Sequence, residues 1–327
     1  MAKAVAHPNI ALIKYWGKRD QALNLPAVGS ISLTLDSLRT ETSVMFTDTL
    51  REDRVSLNGE EPPDSTTSRI SRFLDLIRDR AGIRAAAEVH TSNNFPTGAG
   101  LASSASGFAA LALAGSAAAN LSLSPRELSV LARQGSGSAA RSIFGGWVEM
   151  QKGEREDGTD AQAEQLFDEE YWDLRMLIVV LSSEQKLMSS TAGMTHTANT
   201  SPFYSSWVRK ADHALSAMRN AIAHRDFHEV GRLCEASALR LHALTLSADP
   251  GIVYWTGETV ALIHTIRRLR ERGIPVYFTI DAGPQVKLLC FPDDVTTIQE
   301  ALAPLEGILD IIITAPGQGA QLGEDCE

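Results

Sequence analysis

Residues 93–106 read NNFPTGAGLASSAS: no charge, two glycines close together, and small hydroxylated residues leading into an alanine-rich segment. The segment reads as a helix from near Ala102 to about Asn120. A glycine-rich turn before a helix leaves free N–H groups at the positive end of the helix dipole, which suits an anion. Gly98 and Gly100 let a ligand approach the backbone closely, and Ser103 and Ser104 offer hydroxyls in the first turn. A Gly-Ser turn that merely caps a helix has the same composition. The phosphate loop GxxxxGK[ST] is absent, so the stretch alone leaves both readings open.

The surrounding pattern predicts an α+β protein. AVAHPNIALIK, SISLTLDSL, TETSVMFTD, VSLNGEEP and AAAEVHTSN read as strands, the fourth entering an Asn-Gly turn. SRISRFLDLIRDRAGI carries Ile70, Phe73, Leu74 and Ile77 at helical spacing, with Gly82 as the stop. Ser124-Pro125 opens a further helix over RELSVLARQG. GWVEMQKG is a strand, residues 154–173 form an acidic surface loop, and RMLIVVLS is a buried strand. Long amphipathic helices dominate the second half, with PVYFTIDAG, VKLLCFP and DIIITAPGQGAQ as strands.

At 327 residues, two domains are expected. The net charge of −10 argues against nucleic-acid or anionic-membrane partners while leaving room for a local basic pocket. Cys234, Cys290 and Cys326 are widely spaced and suggest a reduced cytosol. The eight histidines show no ligand spacing, so no dedicated metal site is expected. No apolar run approaches the roughly 18 residues that span a bilayer, and the N-terminus lacks the form of a signal peptide.

Four further segments carry candidate chemistry. IALIKYWGKRD places Lys14 and Lys18 four apart, on one face if the strand continues; a solvated lysine pair is the plain alternative. QGSGSAARSIFGG combines Ser136 and Ser138 with Arg141, donors suited to phosphate or carboxylate. FTIDAGPQ sets Asp281 at the end of an apolar strand, where it either orients a substrate hydroxyl or bonds its own turn. LMSSTAGM offers Ser189, Ser190 and Thr191 as helix caps or ligand contacts.

Together, in this order, these segments resemble the GHMP kinase superfamily and, more narrowly, the diphosphomevalonate decarboxylases. The resemblance runs through KYWGKRD, NNFPTGAGLASSASGFAAL, GSGSAARSIFGGWVEM, MSSTAGM, YFTIDAGPQVKLL and TAPGQGAQ, almost the whole chain. It implies a two-domain GHMP kinase fold: a ribosomal-protein-like ATP-binding domain over 1–184 and a ferredoxin-like domain over 185–327. It implies a cytoplasmic homodimeric carboxy-lyase of the mevalonate pathway. Such an enzyme converts (R)-5-diphosphomevalonate to isopentenyl diphosphate, releasing ADP, phosphate and CO2 after phosphorylation of the 3-hydroxyl. ATP and Mg2+ are the implied cofactors. Asp281, Lys14 and Arg141 would be catalytic, with Arg141 on the substrate carboxylate. Tyr15, Trp16, Gly17, Lys18, Arg69, Ser136, Gly137, Ser138, Ala139, Ala140, Ser190 and Thr191 would contact substrate. Gly98, Ala99, Gly100, Leu101, Ala102, Ser103 and Ser104 would hold the ATP phosphates, with Ser104 also available to magnesium.

Gly98 stands where alanine is usual in these decarboxylases, Gln285 where asparagine is common, and EASALRLHAL lacks a frequent asparagine. The alternatives are a 5-phosphomevalonate decarboxylase, a mevalonate kinase that does not decarboxylate and, from a different class, a non-catalytic sensor on the same fold.

Overall fold

The computed structural model describes residues 1–95, 102–182 and 188–323. The chain opens with β1 (Ala2–Ala6), β2 (Asn9–Ile13), β3 (Lys18–Asp20), β4 (Leu25–Pro26), β5 (Ser30–Thr34), β6 (Thr40–Thr47) and β7 (Arg54–Leu57). It continues through α1 (Asp64–Ala81), β8 (Ala86–Asn93), α2 (Ser103–Ala118), α3 (Pro125–Gly135), α4 (Ala139–Ser142), β9 (Trp147–Met150) and β10 (Ala163–Phe167). Then follow β11 (Arg175–Val180), α5 (Ser190–Thr200), α6 (Tyr204–Ala223), α7 (Phe227–Leu246), α8 (Gly257–Glu271), β12 (Val276–Ile280) and β13 (Val286–Cys290). The last elements are α9 (Val295–Leu302), β14 (Asp310–Thr314) and β15 (Gln321–Leu322).

AVAHPNIALIK is two strands rather than the single one its apolar pattern predicts. Pro8 has no N–H for a ladder and pushes His7 away from regular pairing, and the chain changes sheets there. β1 joins the sheet β15-β1-β6-β8-β7, while β2 ends the sheet β10-β9-β5-β2. A third sheet, β12-β13-β11-β14, and the ribbon β3-β4 complete the described strands. β11 pairs with β13 and β14, and β15 returns to β1.

Three large apolar clusters fill the layers. The first sheet packs on α1, α2 and α3 through Val44, Val89, Leu74, Ile77, Phe108 and Leu131. α2 is apolar on all sides because it is buried on all sides, with Ala109, Ala110, Ala112 and Ala114 fully covered. A central cluster joins Ile10, Ile31 and Trp147 of the second sheet to Met176 and Ile178 of β11 and to Met218, Ile222 and Leu233 of α6 and α7. The other face of β11, Leu177 and Val179, packs on α8 and α9 with Phe278 and Leu288. Burial on both faces explains its unbroken apolar run.

The acidic segment is less of a loop than its composition predicts. Ala163–Phe167 forms β10 against β9, and Asp160 folds the preceding turn by accepting the backbone N–H groups of Glu154 (2.7 Å) and Arg155. The buried Arg133 guanidinium donates to the carbonyls of Gly158 and Ala161 from beneath.

Candidate active site

β2 ends at Ile13, so Lys14 and Lys18 do not share one strand; Lys18 opens β3 after the Tyr15–Gly17 turn. Gly17 has φ +102° and a Cβ there would lie 2.2 Å from Tyr204 Oη, so a glycine is required on both counts.

The Lys14 side chain is 1% exposed. Its Nζ donates to Ala11 O (2.8 Å) and to Asp281 Oδ1 (2.5 Å), and its backbone N–H donates to Ser237 Oγ (2.9 Å). Ser237 belongs to EASALRLHAL, the stretch without the common asparagine. Asp281 follows β12 immediately, and its other oxygen, Oδ2, lies 3.2 Å from Nζ of Lys287 in β13. Burial alone would raise the Asp281 carboxyl, but the two lysines outweigh it and hold the group well below the ordinary carboxylate range. Its side chain remains 30% exposed, so a ligand can reach it. Behind this cluster lies the buried ring of His242, pushed down to about 3 by burial and then by Lys14.

Arg141 is delivered by the short α4 and is 2% exposed. Its Nε donates to Asn9 Oδ1 (3.0 Å) and Ser32 Oγ (2.9 Å), and one terminal nitrogen donates to Ser30 Oγ (2.6 Å). Ser30 and Ser32 alternate along β5 and therefore share a face. All three acceptors are neutral, and no carboxylate pairs with Arg141 among the described residues. Burial lowers it to about 10, against the opposing pull of Tyr15 and Asp281. Asn9 is itself held, its Nδ2 donating to Ser138 O (3.0 Å) and Ser142 Oγ (2.8 Å).

Tyr15 Oη is buried without a partner among the described residues, and burial pushes the phenol up. It packs against the 136–138 turn, where a Cβ on Gly137 would lie 2.3 Å from the hydroxyl. In that turn Ser136 Oγ lies 3.3 Å from Ser138 Oγ and 3.3 Å from Ser104 Oγ, so the start of α2 meets the α3–α4 junction. Ala139 and Ala140 are fully buried beneath the turn. Lys18 Nζ donates to Asn24 Oδ1 (2.6 Å), and Asn24 Nδ2 donates to Gln134 O (2.6 Å). Arg69 donates to Gly135 O (2.7 Å) and lies 4.4 Å from the Phe108 ring centroid. Burial and then Arg69 lower Lys18, and burial and then Arg72 lower Arg69.

The other expected contacts divide. Trp16 is 1% exposed, donates to Thr197 Oγ1 (2.8 Å) and packs with Met194, Leu241 and Tyr254. Ser189 is the cap of α5, accepting the Ala192 N–H (3.2 Å), which sets Ser190 and Thr191 in the first turn. Ala102 precedes α2 with a left-handed φ of 59°. Gly98, Ala99, Gly100 and Leu101 lie outside the described residues. Sequence reasoning missed Asn9, Asn24, Ser30, Ser32, Ser237 and Lys287. The alternation of Ser30 and Ser32 in a strand was the available signal.

Residues 6–163 match the diphosphomevalonate decarboxylase-like N-terminal domain, and residues 176–315 match the mevalonate 5-diphosphate decarboxylase C-terminal domain. The chain belongs to the diphosphomevalonate decarboxylase family. Within that family it is 38% identical to the Homo sapiens diphosphomevalonate decarboxylase over 314 residues, 90% of this chain and 78% of that one. It is 38% identical to the Ganoderma lucidum enzyme over 326 residues, 92% and 81% of the two chains. Its structure superposes on the Staphylococcus aureus mevalonate diphosphate decarboxylase with a TM-score of 0.94 at 42% identity, covering 99% and 98%. For the Enterococcus faecalis decarboxylase the TM-score is 0.91 at 40% identity, covering 99% of each chain. A further family structure, MDDEF in complex with MVAPP, AMPPCP and magnesium, gives 0.92 at 41% identity, again covering 99% of each chain.

Proposed function

We propose that this chain is an ATP-dependent carboxy-lyase that converts 5-diphosphomevalonate to isopentenyl diphosphate, with release of ADP, phosphate and CO2. One observation carries the reading: Asp281, the carboxylate of the site, is held by Lys14 and Lys287, while Arg141, Lys18 and Arg69 have no carboxylate partner among the described residues. Such an excess of positive charge suits ligands that carry a carboxylate, a diphosphate and a triphosphate. The relatives solved with MVAPP and AMPPCP support both ligands.

In this reading Asp281 orients the tertiary hydroxyl toward the γ-phosphate, and Lys14 neutralises charge on the transferred phosphoryl group. Arg141 presents its remaining N–H groups to the substrate carboxylate. The adjacent centre loses the new phosphate, and the electrons of the departing carboxylate form the double bond. Lys18, Arg69, Tyr15 and the Ser136–Ser138 turn hold the diphosphate end. The start of α2, with Ser103 and Ser104, takes the nucleotide phosphates. Among the described residues no group of three or more His, Cys, Asp or Glu could hold a metal. Magnesium would therefore be held by the phosphates together with the Ser104 hydroxyl, and when bound it neutralises phosphate charge. No described helix is long and apolar enough to cross a membrane. The buried thiols Cys234 and Cys290 are free, which favours a reducing cytoplasm, and a homodimer is the assembly the family resemblance implies.

The test is to supply ATP and Mg2+ with mevalonate, its 5-phosphate or its 5-diphosphate and to follow ADP and CO2 together. CO2 from the 5-diphosphate alone is the expected result. ADP without CO2 on every substrate would leave a kinase, and no turnover of any would leave a sensor.

A further inference from the structure

The hairpin β12–β13 does more than deliver Asp281. In its register Thr279 faces Lys287 directly, so the two share one face of the sheet. That face meets the end of β2: Thr279 Oγ1 and Lys14 Nζ both donate to Ala11 O. Lys287 is 1% exposed in a strand whose five residues are all buried. A lysine in such a strand carries a desolvation penalty that an apolar residue would avoid. Its Nζ nevertheless reaches a carboxylate oxygen that Lys14 leaves open.

We propose that Lys287 is a second cation of the phosphoryl-transfer centre, a positioning residue that grips Asp281 Oδ2 while Lys14 grips Oδ1, fixing the carboxylate toward the substrate hydroxyl. The proposal rests on the phosphoryl-transfer reading above. Without Lys287 the carboxylate could swing about its hydrogen bond to Lys14 and would lose one of the two cations that support it. Asp281 is in contact with Lys14 beyond β2 and Lys287 on β13, and its charge is felt by Arg141 on α4 and by His242 and Cys234 on α7. Burial keeps His242 neutral near neutral pH and pushes the Cys234 thiol up to about 12, so neither can replace the missing cation.

The experiment compares Lys287→Met and Lys287→Arg with the parent enzyme in ATP- and 5-diphosphomevalonate-dependent CO2 release across pH. In parallel, the carboxyl of Asp281 is titrated by 13C NMR and assigned through Asp281→Asn. Lys287→Met should lower kcat at least about 10-fold with little change in KM for ATP. Its acid limb and its Asp281 titration should both move up by about one pH unit or more, and Lys287→Arg should recover part of both. Parent-like kcat with an unmoved acid limb and an unmoved titration would overturn the proposal. If the parent releases no CO2, the functional reading fails, and the NMR titration still decides the grip of Lys287. Lys287→Gln replaces the Met variant if that one does not fold.

Discussion

Single side chains in this site show where binding has been favoured over stability. The Tyr15 hydroxyl is buried without a partner among the described residues, an arrangement that costs about 1–3 kcal/mol of desolvation. Tyr15→Phe should therefore melt at the same or a higher temperature, while KM for the 5-diphosphate rises several-fold; a lower melting temperature would show that the hydroxyl is paired. Arg141 presents a harsher case. Asn9, Ser30 and Ser32 match the fork of a guanidinium, and an ammonium cannot meet all three and also hold a carboxylate. Arg141→Lys should lose at least about 10-fold in kcat/KM, measured by CO2 release. For Asp281→Ala the expected loss is about 100-fold or more in turnover with ATP affinity largely kept, and nucleotide titration separates the two.

At the scale of elements, local chemistry was legible wherever the determining residues are neighbours in sequence. Ser124 and Glu127 form a reciprocal capping box at the start of α3, and Gly82 ends α1 in a left-handed turn. The strand-end position of Asp281 could likewise be read from FTIDAGPQ. What could not be read depends on partners far along the chain: Arg141 meets Asn9 across 132 positions, and Lys14 meets Asp281 across 267. Lys287 went unremarked because one lysine among apolar residues looks like a strand's solvated edge until the sheet covers it. The same distance dependence applies to structure away from the site. Asp53 accepts from the Arg78 guanidinium of α1 and from the Ala87 N–H of β8 (2.7 Å), tying helix to sheet. Asp53→Ala leaves Arg78 with Asp75 and the Ala85 carbonyl and should cost about 1–3 kcal/mol in chemical denaturation, with CO2 release per folded molecule unchanged.

For the molecule as a whole, a net charge of −10 surrounds a cationic centre, so acid acts on the fold through a few buried groups. His242 is held at about 3 by burial, whereas an unfolded histidine titrates near 6.5. Between those values the unfolded chain binds the extra proton. Stability should accordingly fall by about 1.4 kcal/mol per pH unit as pH drops from about 6.5 toward 3. Asp281 has the same sign in a lower window: its contribution is present above about 3.9, the unfolded value, and is lost as pH falls through its depressed folded pKa. Denaturant melts of His242→Gln between pH 6.5 and 4 should show a shallower slope; an unchanged slope would assign the acid sensitivity elsewhere. Finally, the pairing of β15 with β1 joins Gln321 and Leu322 to Val5 and Ala4. The outer strand of this sheet therefore depends on residues far along the chain. Until that long-range pairing forms, one rim of the first sheet stays open to adhesion by other unfolded chains, so refolding, rather than the finished fold, is when this molecule is most prone to aggregate.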